Sequence, residues 1–285
     1  MSEFVQVLRL DSKYRVSGTG SSFEIELADN LQCGPSTVCH VSAVSFPVSM
    51  LTIEENVNDR FYHRVYAGPD GGGVHDTWLV IPPGFYDGPT FAGVLQNLLN
   101  TQAHAGWPAW TVTWNPGTGN FAIQRGTDPA PDRTWEIVSE ASLMYRAWDW
   151  TGPPYDITNP CTCANVLRIE AEPYTVVENE VYETGVFDAM ADYHVVYLHS
   201  NLTNYRSSGP RKGDRDVIAR IPVDSGYGST THWKPTGSPH EFFPVYGVSL
   251  KNIRFSLTDT RGIPLNLHGG NVSIELYFND FVGPI

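Results

Sequence analysis

Two stretches decide the fold class: Ile253-Arg254-Phe255-Ser256-Leu257-Thr258 and Val272-Ser273-Ile274-Glu275-Leu276-Tyr277-Phe278. In each, apolar and polar side chains alternate with a period of two. Successive side chains of a strand point to opposite faces, so the pattern describes a strand with one face in a core and the other in water. A helix would scatter the same residues around its axis. Turn residues at 259–262 follow the first stretch, and the two strands are expected to be antiparallel.

Working outward, Phe23-Glu24-Ile25-Glu26-Leu27 repeats the alternation. Residues 4–10 and 61–67 are apolar and β-prone. The run 38–46, between Gly34-Pro35 and Pro47, is mostly small and apolar, which suits a strand buried on both faces. Residues 166–171, 174–177, 193–199, 217–223 and 241–245 are further strand candidates. About eight such runs are joined by long irregular connections. A meander needs short connections, so a Greek-key sandwich is expected, and the eight-stranded jelly roll is its large form.

The middle of the chain reads differently. A glycine-rich joint at 68–73 precedes a short strand at 78–81. Phe91, Val94, Leu95, Leu98 and Leu99 then fall on one helix face. Pro89 suits the first turn of that helix, and Asp87 is near enough to cap it. Residues 110–114 and 120–124 flank Asn115-Pro116-Gly117-Thr118-Gly119 and predict a hairpin. A strand at 135–138 and a short helix at 140–148 follow, up to Gly152-Pro153-Pro154. The expected organisation is therefore all-β, a single jelly-roll β-sandwich with a small α+β insertion domain. The sandwich takes 1–76 and 153–285, and the insertion takes 77–152.

Composition narrows the function. The chain has 285 residues, enough for one or two domains at roughly 150 residues each. Charged residues are 17%, against about 25% in an average soluble domain, while aromatics reach 12%. Few charges and many rings suit a surface covered by partner subunits. The formal net charge of -13 repels phosphate backbones, so a nucleic-acid partner is not expected. No apolar run is long enough to span a bilayer. Met1-Ser2-Glu3-Phe4 lacks a basic region followed by an apolar run, so a secretory signal is not expected. Cys33, Cys39, Cys161 and Cys163 are then expected as reduced thiols; neither pair has zinc-finger spacing.

The chain has no G-x-S-x-G elbow, no phosphate-binding loop and no H-E-x-x-H. A cupin-like metal site would draw on His232, His240, Glu241 and His268, but the His-x-His pair it needs is missing. Asp188, Asp192 and His194 are close in sequence and read either as an acid–base or cation group or as a solvated loop. Arg206, Arg211, Lys212 and Arg215 form the one basic cluster. It reads as a solvated loop tip, or as a binding site for an anionic glycan, a nucleic acid or an acidic neighbouring subunit. Trp107 and Trp110 belong to a tryptophan-rich tract that reads either as a small core or as a glycan- or partner-binding face. No enzyme activity, cofactor or metal is expected from these residues.

The order of segments resembles a family. Phe23-Glu24-Ile25-Glu26-Leu27 leads to Val41-Ser42-Ala43-Val44-Ser45-Phe46-Pro47, then Gly84-Phe85-Tyr86, the helix through Leu95-Gln96-Asn97-Leu98-Leu99-Asn100, and Trp110-Thr111-Val112-Thr113-Trp114-Asn115. Val195-Val196-Tyr197-Leu198-His199-Ser200 and Val217-Ile218-Ala219-Arg220-Ile221-Pro222 precede the final alternating stretches. This order is similar to the penton (minor capsid) proteins of virophages, polinton-like viruses and related double-stranded DNA viruses of the double-jelly-roll lineage. The resemblance implies a structural protein of the virion, made in the host cytoplasm or nucleus. It implies a homopentamer at icosahedral five-fold vertices, beside a double-jelly-roll major capsid protein and other minor capsid proteins. It assigns no catalytic residue, and no role to the cysteines or the basic cluster. A glycan- or receptor-binding β-sandwich, such as a viral spike or lectin-like module, is the alternative.

Overall fold

In the computed structural model the residues described are 5–66, 73–101, 109–127, 134–145, 152–156, 160–169, 174–176, 180–202, 216–236, 242–245 and 247–280. In chain order the strands are β1 (Val5–Asp11), β2 (Ser17–Gly18), β3 (Ser22–Gln32), β4 (Thr37–Pro47), β5 (Arg60–Tyr66), β6 (Val74–Val80), β7 (Trp110–Asn115), β8 (Asn120–Arg125) and β9 (Thr134–Ile137). They continue as β10 (Tyr174–Val176), β11 (Val181–Glu183), β12 (Val195–Ser200), β13 (Val217–Pro222), β14 (Thr230–Trp233), β15 (Phe243–Pro244), β16 (Ser249–Thr258) and β17 (Ser273–Asp280). The helices are α1 (Gly88–Thr101), α2 (Glu140–Tyr145) and α3 (Ala164–Leu167), with a 3-10 turn at Ser12–Tyr14. The chain divides into two compact units, 1–50 with 192–285, and 51–191.

The first unit is the sandwich. One sheet has the order β1-β17-β4-β14, with β15 also pairing β4; the other has the order β13-β12-β16-β3-β2. All these pairings are antiparallel. Outside the neighbours β2–β3, β12–β13 and β14–β15, every step along the chain crosses from one sheet to the other, which is the jelly-roll path. The decisive alternation holds: Ile253, Phe255, Leu257, Ile274, Leu276 and Phe278 are all buried. Phe255 meets Phe23 across strands at 5.5 Å between ring centroids. The two stretches do not pair with each other, however. β16 pairs β3 and β12, while β17 pairs β1 and β4, so the 14 residues between them span the two sheets. Asp259 builds the first bend, accepting the N–H groups of Arg261 and Ile263 at 2.8 Å each. β4 is central in its sheet but buried mainly on one face, because His40, Ser42 and Ser45 on the other are half exposed.

The second unit has a four-stranded sheet, β10-β9-β5-β6, and a three-stranded sheet, β11-β8-β7. Both sheets share one core with α1, formed by Phe61, Val65, Leu79, Phe91, Leu95, Leu99, Trp110, Phe121, Trp135 and Tyr182 among others. The predicted helix forms. Asp87 caps it by accepting the Thr90 N–H at 2.9 Å, and Phe91, Leu95 and Leu99 make the buried stripe. Its first residue is glycine for a packing reason: a Cβ on Gly88 would lie 2.4 Å from the Trp114 indole. Polar side chains of α1 close the edge of β7. Asn100 accepts the Trp110 N–H (2.8 Å) and donates to its carbonyl (2.9 Å), and Gln96 accepts the Val112 N–H (2.9 Å).

The inserted unit is wider than the 77–152 segment expected from the glycine and proline joints. β5 precedes the glycine run yet pairs with both β6 and β9, so that run connects two paired strands. Gly152 is a close approach, since a Cβ there would lie 2.3 Å from the Asp76 carbonyl oxygen. Cys163, Val166 and Leu167 then return to the same core. The strand expected at 166–171 is corrected at its start: Ala164–Leu167 is helical, and Val166 reaches that core from a helix.

Candidate assembly surfaces

Of the residues singled out by sequence, Trp107, Arg206, Arg211, Lys212 and Arg215 lie outside the described residues. Trp110 corrects an expectation. It is buried, edge-on to Trp135 at 5.1 Å, so it belongs to the core and offers no face to a partner. The metal candidates are dispersed. His240 and Glu241 lie outside the described residues, and His232 hydrogen-bonds the Ser45 hydroxyl at 2.9 Å. His268 sits in a turn at φ 46°. Asp188 accepts from Arg168 at 2.6 Å within the inserted unit, while Asp192 lies 3.4 Å from Arg261 in the sandwich. Among the described residues no group of three or more His, Cys, Asp or Glu side chains is arranged to hold a metal. The four cysteines are buried and free, and burial pushes the Cys39 and Cys163 thiols up.

One polar chain in the sandwich has the order of a hydrolase triad. His199 Nδ1 lies 2.8 Å from Asp216, and its Nε2 lies 3.0 Å from the Thr258 hydroxyl. A cleft of about 570 Å3 adjoins it, lined by Ser22, Glu24, His199, Asp216, Arg254 and Ser256. Thr258 is buried and does not line that cleft, so a substrate there would not meet its hydroxyl. The chain of bonds instead ties β12 to β16 and to the residue that opens β13.

The inserted unit buries charge in mid-sheet. Arg64 on β5 lies between Asp76 on β6 and Glu136 on β9 in register. It donates from Nε and Nη2 to the two Asp76 oxygens (2.5 and 3.1 Å), and Tyr66 donates to Glu136 at 2.8 Å. On the opposite face of β5, His63 stacks on Trp135 at 5.9 Å. Burial lowers its pKa to about 4, an effect only partly offset by Asp76. Arg64, Asp76, Glu136 and His63 are all buried, so their pairing weighs on the stability of the unit.

Exposed large apolar side chains occur in both units: Val80, Phe85, Val181 and Val186 in the inserted unit, and Val7, Tyr14, Val16, Tyr227 and Val248 in the sandwich. β1 ends one sheet, and β2, only two residues long, ends the other. The crossover between them carries Tyr14 (74% exposed) and Val16 (59%), and Val7 (37%) projects from β1. Further along the same flank β3 bulges: Leu27, Ala28, Asp29 and Asn30 oppose Lys251 alone. The Lys251 ammonium donates to the Leu27 and Ala28 carbonyls (2.7 and 3.0 Å). A groove of about 450 Å3 opens between this bulge and Gln6 and Leu8 of β1. Leu8 faces inward in register with Leu276, yet it is only half buried. The opposite flank, between β13 and β14, exposes Tyr227 (44%). Sequence reading passed over this surface. Its signal was an aromatic and a valine, Tyr14 and Val16, inside a polar crossover.

This geometry defines a class: a single jelly-roll protein with a mixed α/β unit inserted after its fourth strand. A solved structure of that class matches the chain from end to end. It is the crystal structure of selenomethionine-labelled mavirus penton protein, with a TM-score of 0.51 at 12% identity, covering 99% of this chain and 100% of that one. At that identity the likeness is one of fold. No family profile matches the chain, and no curated protein matches it in sequence.

Proposed function

We propose that the chain is a capsid penton protein, five copies of which close a ring at each icosahedral five-fold vertex. In this reading its neighbours are a double-jelly-roll major capsid protein and other minor capsid proteins, and it works in the virion after synthesis in the host cytoplasm or nucleus. It is structural, with no catalytic step and no cofactor. The observation that carries the proposal is the end-to-end match in fold to a penton protein, which includes the inserted unit as well as the sandwich. The wet apolar flank and the low charge fraction suit a protein that meets copies of itself. Mass photometry of the purified chain tests it: a species of five times the monomer mass is expected. A monomer at every concentration, alone and with the major capsid protein, would overturn it. The glycan-binding alternative loses one of its two tryptophans, since Trp110 is interior.

A further inference from the structure

We infer that the β1–β2–β3 flank of one copy is the surface that receives the opposite flank of the next copy, with Tyr14 and Val16 as its anchors and the turn at Asp224 and Tyr227 as its counterpart. The inference rests on the ring proposed above and deepens it, by assigning the two faces of the contact.

Symmetry sets the first condition. A patch that meets its own copy closes a dimer, whereas a ring of five needs two different patches on each subunit. The sandwich offers two at its opposite edges. On one side lie β1 and β2, and on the other β13 and β14.

Height sets the second. Asp11 of β1 is in register with Ser273 of β17, Ser273 with Ser45 of β4, and Ser45 with His232 of β14. The crossover after Asp11 and the turn before Thr230 therefore lie at the same end of the sandwich. Subunits placed side by side around an axis bring these two turns level with each other.

Chemistry sets the third. Tyr14 (74% exposed) and Val16 (59%) are among the most exposed large apolar side chains of the described residues, and Tyr227 is an exposed ring on the turn at the opposite edge. Aromatic anchors that lose their water on contact contribute most to such interfaces. Lys13 beside Tyr14 and Asp224 near Tyr227 are both exposed and of opposite sign. A neighbour on this flank would also cover the half-open groove at Leu8 and the outer edge of β1, which no strand among the described residues pairs.

The test separates this assignment from the ring itself. If the wild-type chain forms no ring, the penton proposal falls. If it forms a ring, the double variant Tyr14→Ser, Val16→Glu should need about a thirtyfold higher concentration to assemble, the loss typical of a central anchor. Lys13→Glu alone should weaken the ring about tenfold, and adding Asp224→Lys should restore it. Rings that form as readily in the double variant as in wild type, or a Lys13→Glu defect that Asp224→Lys fails to repair, would overturn the assignment. Circular dichroism shows whether the variants are folded. The charge-reversal pair keeps the inference testable even where the double variant is not.

Discussion

The sandwich and the inserted unit solve the same problem with different materials. The sandwich core is mainly aliphatic and aromatic, its strands bury neutral polar groups such as Thr231 and Thr258, and its buried carboxylates among the described residues, Asp192 and Asp259, sit beyond strand ends facing Arg261. The inserted unit instead places Asp76, Arg64 and Glu136 across three adjacent strands and stacks a histidine on a tryptophan in its core. Burial of apolar area tolerates change gradually, in proportion to what is removed. A buried ion pair behaves otherwise: removing one partner strands the other charge away from water. The stability of the inserted unit should therefore hinge on a few side chains, and that of the sandwich on many.

The largest effect is expected at Arg64. Arg64→Ala leaves the Asp76 carboxylate buried without its guanidinium and should cost the inserted unit about 4 kcal/mol. Calorimetry should then show an early transition for that unit ahead of the sandwich. A single shared transition would break the comparison. Next is pH. His63 has a folded pKa of about 4 and an ordinary value of 6.5, so below 6.5 the unfolded chain takes up a proton that the folded unit refuses. Stability is full above 6.5 and falls as pH drops towards 4, by about 3 kcal/mol in total. Denaturant melts across that window check it, and His63→Phe should flatten the slope. A smaller loss, about 1 kcal/mol, is expected for Ile253→Val in the sandwich; its signature is a shifted sandwich transition with the inserted unit unmoved. Smallest is Asp87→Ala, which removes the α1 cap and should lower the inserted unit's melting temperature by a few degrees.

The same contrast explains what the sequence made legible. Alternating stretches with one wet face, as in β3, β16 and β17, announce themselves because burial there follows the strand period. Helix α1 was visible through its apolar spacing and its cap, and the β7–β8 hairpin through its turn residues. The limits of the inserted unit were not, because Gly and Pro mark bends whether or not a domain ends there; only pairing reveals that β5 belongs with β9. Val181–Glu183 and Thr230–Trp233 were missed because three or four residues carry too little pattern. Trp110 read equally as core or as binding face, since an aromatic ring serves both and only its neighbours decide. The apolar flank was hidden for a related reason. Tyr14 and Val16 look like ordinary β-prone residues until the crossover leaves them in solvent.

Helix α1 also has a consequence for how copies of the chain can join. An uncovered sheet margin invites any extended peptide to fuse to it, a route that ends in fibres rather than closed shells. By spending the amides of Gln96 and Asn100 on the backbone of β7, the inserted unit insulates that margin. Growth by strand templating is blocked at that margin, so an extended peptide cannot add to β7 without first displacing two amide side chains.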